Sequence, residues 1–219
     1  MERKIITTLD GSTTIQITDW DECYHSKNGA IQEAYHVFIK NGLHRFGEQS
    51  VSILEIGFGT GLNALITFLE SQDRKLQIDY VGVEAYPVSL QEARAMNYCE
   101  QLEIKHGTFT HMHESVWEET IEIEGNFRLT KRKQLFQDIE DIAQFDLIYF
   151  DAFGYPFQPE LWSTEIFKKM YTALKDKGIL VTYAARGVVK RSMKEVGFRV
   201  EKTAGPPGKR EMMVGFKNL

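Results

Sequence analysis

The sequence predicts an α/β protein built around a mainly parallel β-sheet. From residue 51 onward, apolar runs of strand length alternate with helix-like segments, the pattern of parallel strands joined by crossover helices. Three glycines stand directly behind the first apolar run, in LEIGFGTGLNALITF at residues 54–68. With 219 residues, of which 42% are hydrophobic, the chain can bury one sizeable core, and we expect a single domain over 1–219.

Residues 1–42 are expected to form an extension that precedes the core at 51–217. Two β-rich runs at 4–18 flank an Asp-Gly dipeptide, which is typical of a hairpin turn. A helical stretch then follows within 24–42. The extension is therefore predicted to be a hairpin followed by a helix.

Within the core, predicted strands and helices alternate. The strands are expected at 51–57, 77–85, 145–153, 177–185, 198–203 and 210–216. The helices are expected at 62–70, 88–101, 159–175 and 186–197. Residues 102–144 have no clear periodicity, apart from a strand expected near 126–130. His111 and His113 could share one face of a strand, but no third ligand has metal-binding spacing, so no metal is expected.

Composition and charge exclude several classes of protein. No run reaches the ~18 apolar residues of a membrane span, and the first residues have no signal-peptide pattern. Two distant cysteines, Cys23 and Cys99, favour a reduced cytoplasmic setting. Residues 168–219 carry 13 Lys and Arg against 4 Asp and Glu, although the whole chain has a net charge of −5. This asymmetry favours a polyanionic partner, or else a solvated basic face on an acidic protein.

The glycine-rich stretch Gly57-Phe58-Gly59-Thr60-Gly61 lies where ligands bind in open α/β sheets, beyond the carboxyl end of the first strand. Position 62 is Leu, so the dinucleotide pattern G-x-G-x-x-G/A is absent, and so is the Gly-Lys-Ser/Thr of a phosphate-binding loop. The spacing is G-x-G-x-G behind Glu55. It suits a ligand that lacks phosphates and lies along exposed backbone.

Acidic residues follow the later strands at the same edge of the sheet. Glu84 ends the second strand and can accept hydrogen bonds from both hydroxyls of a ribose. Asp151 ends the strand in FDLIYFDAFGYPFQPELW, beside aromatic residues that would shield an amine acceptor. Asp138 could hydrogen-bond an adenine amino group, or it could be an ordinary helix N-cap.

Five pieces in order resemble the MnmC-type tRNA methyltransferase family. They are YHSKNGAIQEAYHVFIKNGL, LEIGFGTGLNAL, VEAYPVS, FDLIYFDAFGYPFQPELW and GPPGKREMMVGF. The resemblance implies a Rossmann-like, seven-stranded class I fold that binds S-adenosylmethionine. It also implies methylation of the aminomethyl group on C5 of a wobble uridine, giving 5-methylaminomethyl-2-thiouridine in tRNA.

The resemblance also assigns site residues. Asp151 matches the acidic active-site position, and S-adenosylmethionine is expected to contact Glu55, Gly57, Phe58, Gly59, Thr60, Gly61, Asn63, Glu84 and Asp138. Some members of the family carry a second, FAD-dependent oxidase domain. This chain ends where that domain would begin, so we expect a stand-alone methyltransferase whose aminomethyl substrate comes from a separate enzyme.

In the expected reaction, a primary amine attacks the sulfonium methyl group in line. Asp151 is expected first to orient the amine and second to accept its proton. An aminopropyltransferase of the spermidine-synthase type is one alternative, and it would want further acidic residues around a polyamine. A small-molecule amine methyltransferase and a non-catalytic RNA-binding module are the others.

A basic surface for tRNA is expected beside the cofactor. Its residues are Arg186, Lys190, Arg191 and Lys194 in the helix at 186–197, extended by Lys209 and Arg210 in the GPPGKR turn. The alternatives are an ordinary charged helix or an RNA site at 131–133.

Overall fold

A computed structural model of the chain describes residues 2–47 and 50–218. The strands in this part are β1 Arg3–Thr7, β2 Thr13–Ile17, β3 Glu22–Cys23, β4 Ser50–Ile56, β5 Gln77–Val83, β6 Thr120–Glu124, β7 Phe127–Arg132, β8 Phe145–Phe150, β9 Leu174–Thr182, β10 Arg199–Ala204 and β11 Glu211–Phe216. The α-helices are α1 Ala30–Ala34, α2 Leu62–Arg74, α3 Leu90–Arg94, α4 Tyr98–Gln101, α5 His106–Glu114, α6 Thr164–Ala173 and α7 Gly187–Glu195. A π-helical segment, Tyr35–Lys40, follows α1, and 3-10 turns form at Leu43–Arg45, Phe136–Asp138 and Pro159–Trp162.

The larger sheet has the strand order β10-β11-β9-β8-β4-β5-β7-β6 among the described residues. The five strands from β9 to β7 are parallel, whereas β11 is antiparallel to both β9 and β10. This confirms the predicted α/β class with a mainly parallel sheet. Strand β6 is an additional antiparallel edge strand, so the sheet has one strand more than the seven predicted.

Helices cover both faces of this sheet. On one face, α1, the π-helical segment, α2 and α5 share a core with β4, β5 and β7. On the other face, α6 buries Ile166, Phe167, Met170 and Ala173, a spacing that places them on one helical stripe against the sheet. The strands between these two apolar layers are nearly continuous runs of hydrophobic residues. Such sequences are typical of parallel strands that are buried on both faces.

The direction in which strands are added reverses between β4 and β8, and this brings three strand ends together. Ile56 at the end of β4 lies opposite Phe150 at the end of β8. The Asp151 N–H donates to the Ile56 carbonyl at 2.9 Å, and the Gly57 N–H donates to the Val83 carbonyl of β5 at 3.0 Å. The residues that follow these strands therefore meet at one point, where ligands bind in such sheets.

The predicted hairpin is confirmed, with β1 and β2 antiparallel around a turn at residues 8–12. Strand β3 pairs with β2 and completes a separate three-stranded sheet.

The prediction of a single helix at 88–101 is wrong, because α3 and α4 are separate helices. Between them, Asn97 Oδ1 accepts from the Thr13 N–H at 2.8 Å and Asn97 Nδ2 donates to the Gly11 carbonyl at 2.9 Å. The side chain at the break thus binds the hairpin.

Two further boundaries differ from prediction. The segment with His111 and His113 is helix α5 rather than a strand, whereas the strand expected near 126–130 is confirmed as β7. The helix predicted at 159–175 is a 3-10 turn followed by α6, and β9 begins at Leu174 because that residue pairs with Phe145 of β8.

No helix in residues 2–47 and 50–218 is long and apolar enough to cross a membrane. Over the same residues, no group of three or more His, Cys, Asp or Glu is arranged to hold a metal ion.

Candidate active site

A cavity of about 810 Å³ lies where the ends of β4, β5 and β8 meet. Its volume falls within the range of small-molecule and cofactor sites. One side, which we call the strand-tip wall, is formed by Gly57, Gly59, Glu84 and Asp151. A second part of the lining, which we call the terminal wall, is formed by Trp20, Glu22, Glu33 and Lys209, from segments near the two ends of the chain.

Glycine is required at two positions of the strand-tip wall. Gly57 has φ +92°, and a Cβ atom there would lie 2.7 Å from the Asp151 carbonyl oxygen. Gly59 has φ +50°, and a Cβ atom there would lie 3.1 Å from the Tyr24 ring. Both conformations are strained for residues with side chains. The loop therefore leaves its backbone exposed to the cavity, as the sequence pattern predicts.

Glu84 is held at the strand tip by two backbone hydrogen bonds. Its Oε2 accepts from the Gly59 N–H at 3.0 Å, and its Oε1 accepts from the Tyr86 N–H at 2.9 Å. A carboxylate has about four lone-pair positions, so both oxygens can accept further bonds from a ligand in the cavity. The predicted contact with ribose hydroxyls is compatible with this position.

Asn63, at the start of α2, links two carboxyl groups. Its Nδ2 donates to Glu55 Oε1 and to Asp151 Oδ2, each at 2.9 Å. Asn63 lines the cavity, and its buried Oδ1 has no hydrogen-bond partner among the described residues. An acceptor left unpaired in this way carries a cost that a ligand with an N–H donor would remove.

Glu55 lies beneath the loop, fully buried, and not on the cavity lining. Burial raises its pKa well above the ordinary value. In this structure Glu55 accepts from Asn63 Nδ2, and its predicted contact with the cofactor stays a prediction.

Asp151 is the acid most suited to chemistry in this cavity. Burial raises its pKa from 3.8 to about 7, and the nearby charge of Glu33 adds to the increase. The hydrogen bond from Asn63 and the charge of Lys209 act in the opposite direction. A carboxyl group with a pKa near the working pH is matched to proton transfer, so proton acceptance is a stronger role for Asp151 than the sequence indicates.

The terminal wall contributes an ion pair that sequence reasoning missed. Lys209 Nζ lies 2.5 Å from Glu33 Oε1, and the Ser26 N–H donates to Glu33 Oε2 at 2.7 Å. The same ammonium lies 4.0 Å from the centre of the Tyr183 ring. Lys209 was predicted to extend the basic RNA surface; its charge is paired with Glu33 at the cavity, and its contact with RNA stays a prediction.

Glu22 also lines the cavity and was missed. Burial raises the pKa of its carboxyl group, and the charge of Lys209 partly offsets this. The signal that could have found Glu33 and Lys209 is their presence in two of the family-like pieces, but these stand 176 residues apart in the chain. No local pattern connects them.

Aromatic side chains close the cavity beside Asp151. Trp20 stacks on Phe157 with ring centres 6.0 Å apart and meets Phe153 edge to face at 5.9 Å. Tyr24 contacts the same Phe153 ring edge to face at 5.0 Å. The aromatic residues expected after Asp151 are therefore joined by others from the N-terminal segment, which together restrict water access.

The remaining predicted cofactor residues occupy different places. Phe58 lines the cavity. Thr60 and Gly61 lie outside the lining, and the Thr60 hydroxyl pairs with the Tyr98 hydroxyl at 2.9 Å. Asp138 is exposed at the end of a 3-10 turn whose first two residues line the cavity. It is not an N-cap, and its contact with adenine stays a prediction.

The predicted basic residues lie on α7, which begins beyond the carboxyl end of β9. Val189 and Met193 face the core, so Lys190, Arg191 and Lys194 fall on the outward side of the helix. The side chains of Arg186 and Arg210 are also exposed. These residues form a cationic surface, which we call the α7 surface, at the same edge of the sheet as the cavity.

Comparison with known proteins identifies the family of this chain. A family described as S-adenosyl-L-methionine-dependent methyltransferase matches residues 94–218. The tRNA 5-methylaminomethyl-2-thiouridine biosynthesis bifunctional protein MnmC of Ralstonia nicotianae is 31% identical over 210 residues, covering 89% of this chain and 32% of that protein. The chain spans about a third of the length of the curated relatives it matches.

Two solved structures are similar to this chain. MNMC2 from Aquifex aeolicus is 25% identical, with a TM-score of 0.76 over 98% of this chain and 69% of that one. Spermidine synthase from Thermotoga maritima shares the fold, with a TM-score of 0.59 and 13% identity over 98% of this chain and 68% of that one.

The residues present fit S-adenosylmethionine as the cofactor. Asn63 Oδ1, which has no hydrogen-bond partner among the described residues, and the Glu84 carboxylate both suit hydrogen-bond donors of such a ligand, and their contacts with it stay predictions. The exposed loop at Gly57 and Gly59 accommodates a ligand without phosphates. The chain belongs to the family of S-adenosyl-L-methionine-dependent methyltransferases, and its resemblance to the MnmC-type enzymes is confirmed.

Proposed function

We propose that this chain transfers a methyl group from S-adenosylmethionine to the aminomethyl nitrogen of 5-aminomethyl-2-thiouridine at the wobble position of tRNA. The observation that carries the proposal is Asp151, a buried carboxyl group in the cavity lining that accepts from Asn63 and has a pKa of about 7. The substrate is inferred from the relatives, which are tRNA 5-methylaminomethyl-2-thiouridine biosynthesis bifunctional proteins.

The main chemical demand of this reaction is that the acceptor amine loses a proton. An alkylamine with a pKa of ~10.4 is almost entirely protonated at pH 7, and deprotonating it costs roughly 4–5 kcal/mol. When bound, S-adenosylmethionine supplies an electrophilic methyl group, and the nitrogen–methyl bond forms as the sulfur–methyl bond breaks. The acceptor nitrogen must therefore lose a proton, and a nearby base has to receive it.

Asp151 meets this demand in two ways. Its carboxylate, fixed by Asn63, can hydrogen-bond the acceptor nitrogen and hold it in line. A pKa of about 7 also makes it a stronger proton acceptor than an ordinary aspartate. The aromatic rings of Trp20 and Phe153 restrict water beside it, which strengthens both interactions.

The α7 surface would bind the phosphates of tRNA. It lies at the sheet edge that carries the cavity, so an RNA strand on it can present a flipped wobble base to Asp151. Residues of the N-terminal segment line the cavity together with core residues. This supports treating 1–219 as one methyltransferase domain.

The direct test is mass spectrometry of wobble nucleosides after methyl-deficient tRNA is incubated with the protein and S-adenosylmethionine. We expect 5-aminomethyl-2-thiouridine to be converted to its methylamino form. Asp151→Asn is the inactive control, and Asp176→Asn, at an exposed aspartate, is the active one. Absence of the methylated nucleoside with a folded, cofactor-binding protein would reject the proposal.

An aminopropyltransferase activity is the second candidate, because Glu22 and Glu33 are the further acidic residues that a polyamine site would want. It is tested by incubation with decarboxylated S-adenosylmethionine and putrescine. Formation of spermidine, without methylation of tRNA, would favour this activity over the first.

A further inference from the structure

The Glu33–Lys209 ion pair joins segments near the two ends of the chain in the lining of the cavity. Glu33 is on α1, and Lys209 is in the turn between β10 and β11. Both residues line the cavity together with Asp151. The same turn meets the N-terminal segment elsewhere, since a Cβ atom on Gly208 would overlap the Asn28 side chain. The pair is therefore part of a built contact.

The charges of this pair are fixed in position. The Glu33 side chain is only 9% exposed, and its two oxygens accept separately from Lys209 and from the Ser26 N–H. Lys209 lies over the Tyr183 ring, whose hydroxyl donates to the Ala152 carbonyl at 2.8 Å. Ala152 directly follows Asp151, so both charges are anchored close to the reacting carboxyl group.

Several other charged or titratable groups surround Asp151. In chain order, the groups that line the cavity or lie beneath its loop are Glu22, Tyr24, His25, Glu33, Glu55, Glu84, Glu160, Tyr183 and Lys209. Two further cations line the cavity, but Arg3 pairs with Glu92 and Lys27 pairs with the exposed Asp21. Among the described cations of the lining, Lys209 is thus the one whose charge acts on Asp151.

We propose that Glu33 and Lys209 are positioning residues that balance the charge around Asp151, so that it can take a proton from the acceptor amine at neutral pH. This inference rests on the proposed function, in which Asp151 receives that proton. Glu33 without Lys209 would leave excess negative charge and hold the acceptor as ammonium. Lys209 without Glu33 would repel the ammonium and weaken Asp151 as a base.

The two residues should move the titration of Asp151 in opposite directions. Removing the negative charge in Glu33→Gln should lower its pKa, and removing the positive charge in Lys209→Met should raise it, each by about one unit. The double variant should return close to the wild type. Carbon-13 NMR titration of the Asp151 carboxyl carbon measures its pKa in the full chain, and it does not depend on enzyme turnover.

The pH profile of kcat/KM for methyl transfer gives a second readout. Its acidic limb should move down in Glu33→Gln and up in Lys209→Met. Lys209→Arg retains the cation and should keep the wild-type profile. Lys202→Met, which breaks the exposed Lys202–Glu211 pair on the same hairpin, controls for changes in that hairpin and should shift neither readout.

Shifts in the same direction for the two single variants, or no shift in either, would overturn the inference. Glu33→Gln retains an acceptor for Ser26, so it supplies the decisive measurement if Lys209→Met does not fold. If the wild type does not methylate tRNA, the proposed function fails, while the NMR titration still decides whether the pair controls Asp151.

Discussion

The two walls of the cavity are assembled in different ways. The strand-tip wall comes from residues that follow β4, β5 and β8, and the sheet topology brings these positions together. The terminal wall comes from segments near the two ends of the chain, and the Glu33–Lys209 pair spans 176 residues. The two walls thus differ in origin: one follows from the order of the strands, and the other from a contact between distant segments.

The largest expected effect is on the strand-tip wall, in Gly59→Val. The backbone has φ +50°, and a Cβ atom would lie 3.1 Å from the Tyr24 ring, so the variant should abolish binding of S-adenosylmethionine. Isothermal calorimetry measures this. Gly107→Val is the matched control, because nothing lies within 4 Å of its Cβ position. Wild-type affinity in Gly59→Val would mean that the cofactor does not approach this loop.

Asp151→Asn tests the carboxyl group of the strand-tip wall that the proposal makes catalytic. The variant keeps the side-chain shape but loses the base, so kcat should fall by about 10²–10⁴ while cofactor affinity is retained. In the wild type, kcat/KM should fall as pH drops below about 7, because Asp151 is then protonated. A decrease in kcat of less than ~10-fold would show that Asp151 is not the catalytic base.

Glu84→Ala tests the role of the carboxylate that follows β5. Losing hydrogen bonds to a charged group should weaken cofactor binding by about 1.5–3 kcal/mol, measured by calorimetry. Glu122→Ala, at an exposed position on β6, is the control. Unchanged affinity in a folded Glu84→Ala protein would remove the ribose assignment.

The smallest expected effect concerns the α7 surface, which lies outside both walls. Replacing Lys190, Arg191 and Lys194 with Ala should raise the KM for tRNA and leave cofactor affinity unchanged. Each lost phosphate contact should reduce the slope of log affinity against log salt by somewhat under one unit.

A double variant at exposed lysines outside α7, Lys40→Ala with Lys105→Ala, controls for the loss of charge. If the triple variant keeps both tRNA affinity and salt dependence, the RNA site must lie elsewhere, with the segment at 131–133 as the next candidate. That candidate is weakened by Lys131, which is buried and donates to the His113 carbonyl at 2.7 Å.

Most of the fold could be predicted from the sequence, because the signals for strands and helices are local. Apolar runs and intervening helical periodicity predicted the core strands, and the glycine spacing behind β4 located the cofactor loop. It failed where a distant contact decides local structure. The helix predicted at 88–101 is interrupted at Asn97, because the Asn97 side chain binds the hairpin. The Gly11 carbonyl that it contacts lies 86 residues away in the sequence.

The sequence by itself determined the strand-tip wall, since the carboxyl ends of parallel strands meet at the point where strand order reverses. Gly57, Glu84 and Asp151 could be named for this reason alone. Only the tertiary structure decided that Glu55 supports Asn63, that Lys209 turns inward to Glu33, and that the pKa of Asp151 rises to about 7. These properties depend on burial and on charges brought together from distant segments, and neither is encoded in the spacing of neighbouring residues.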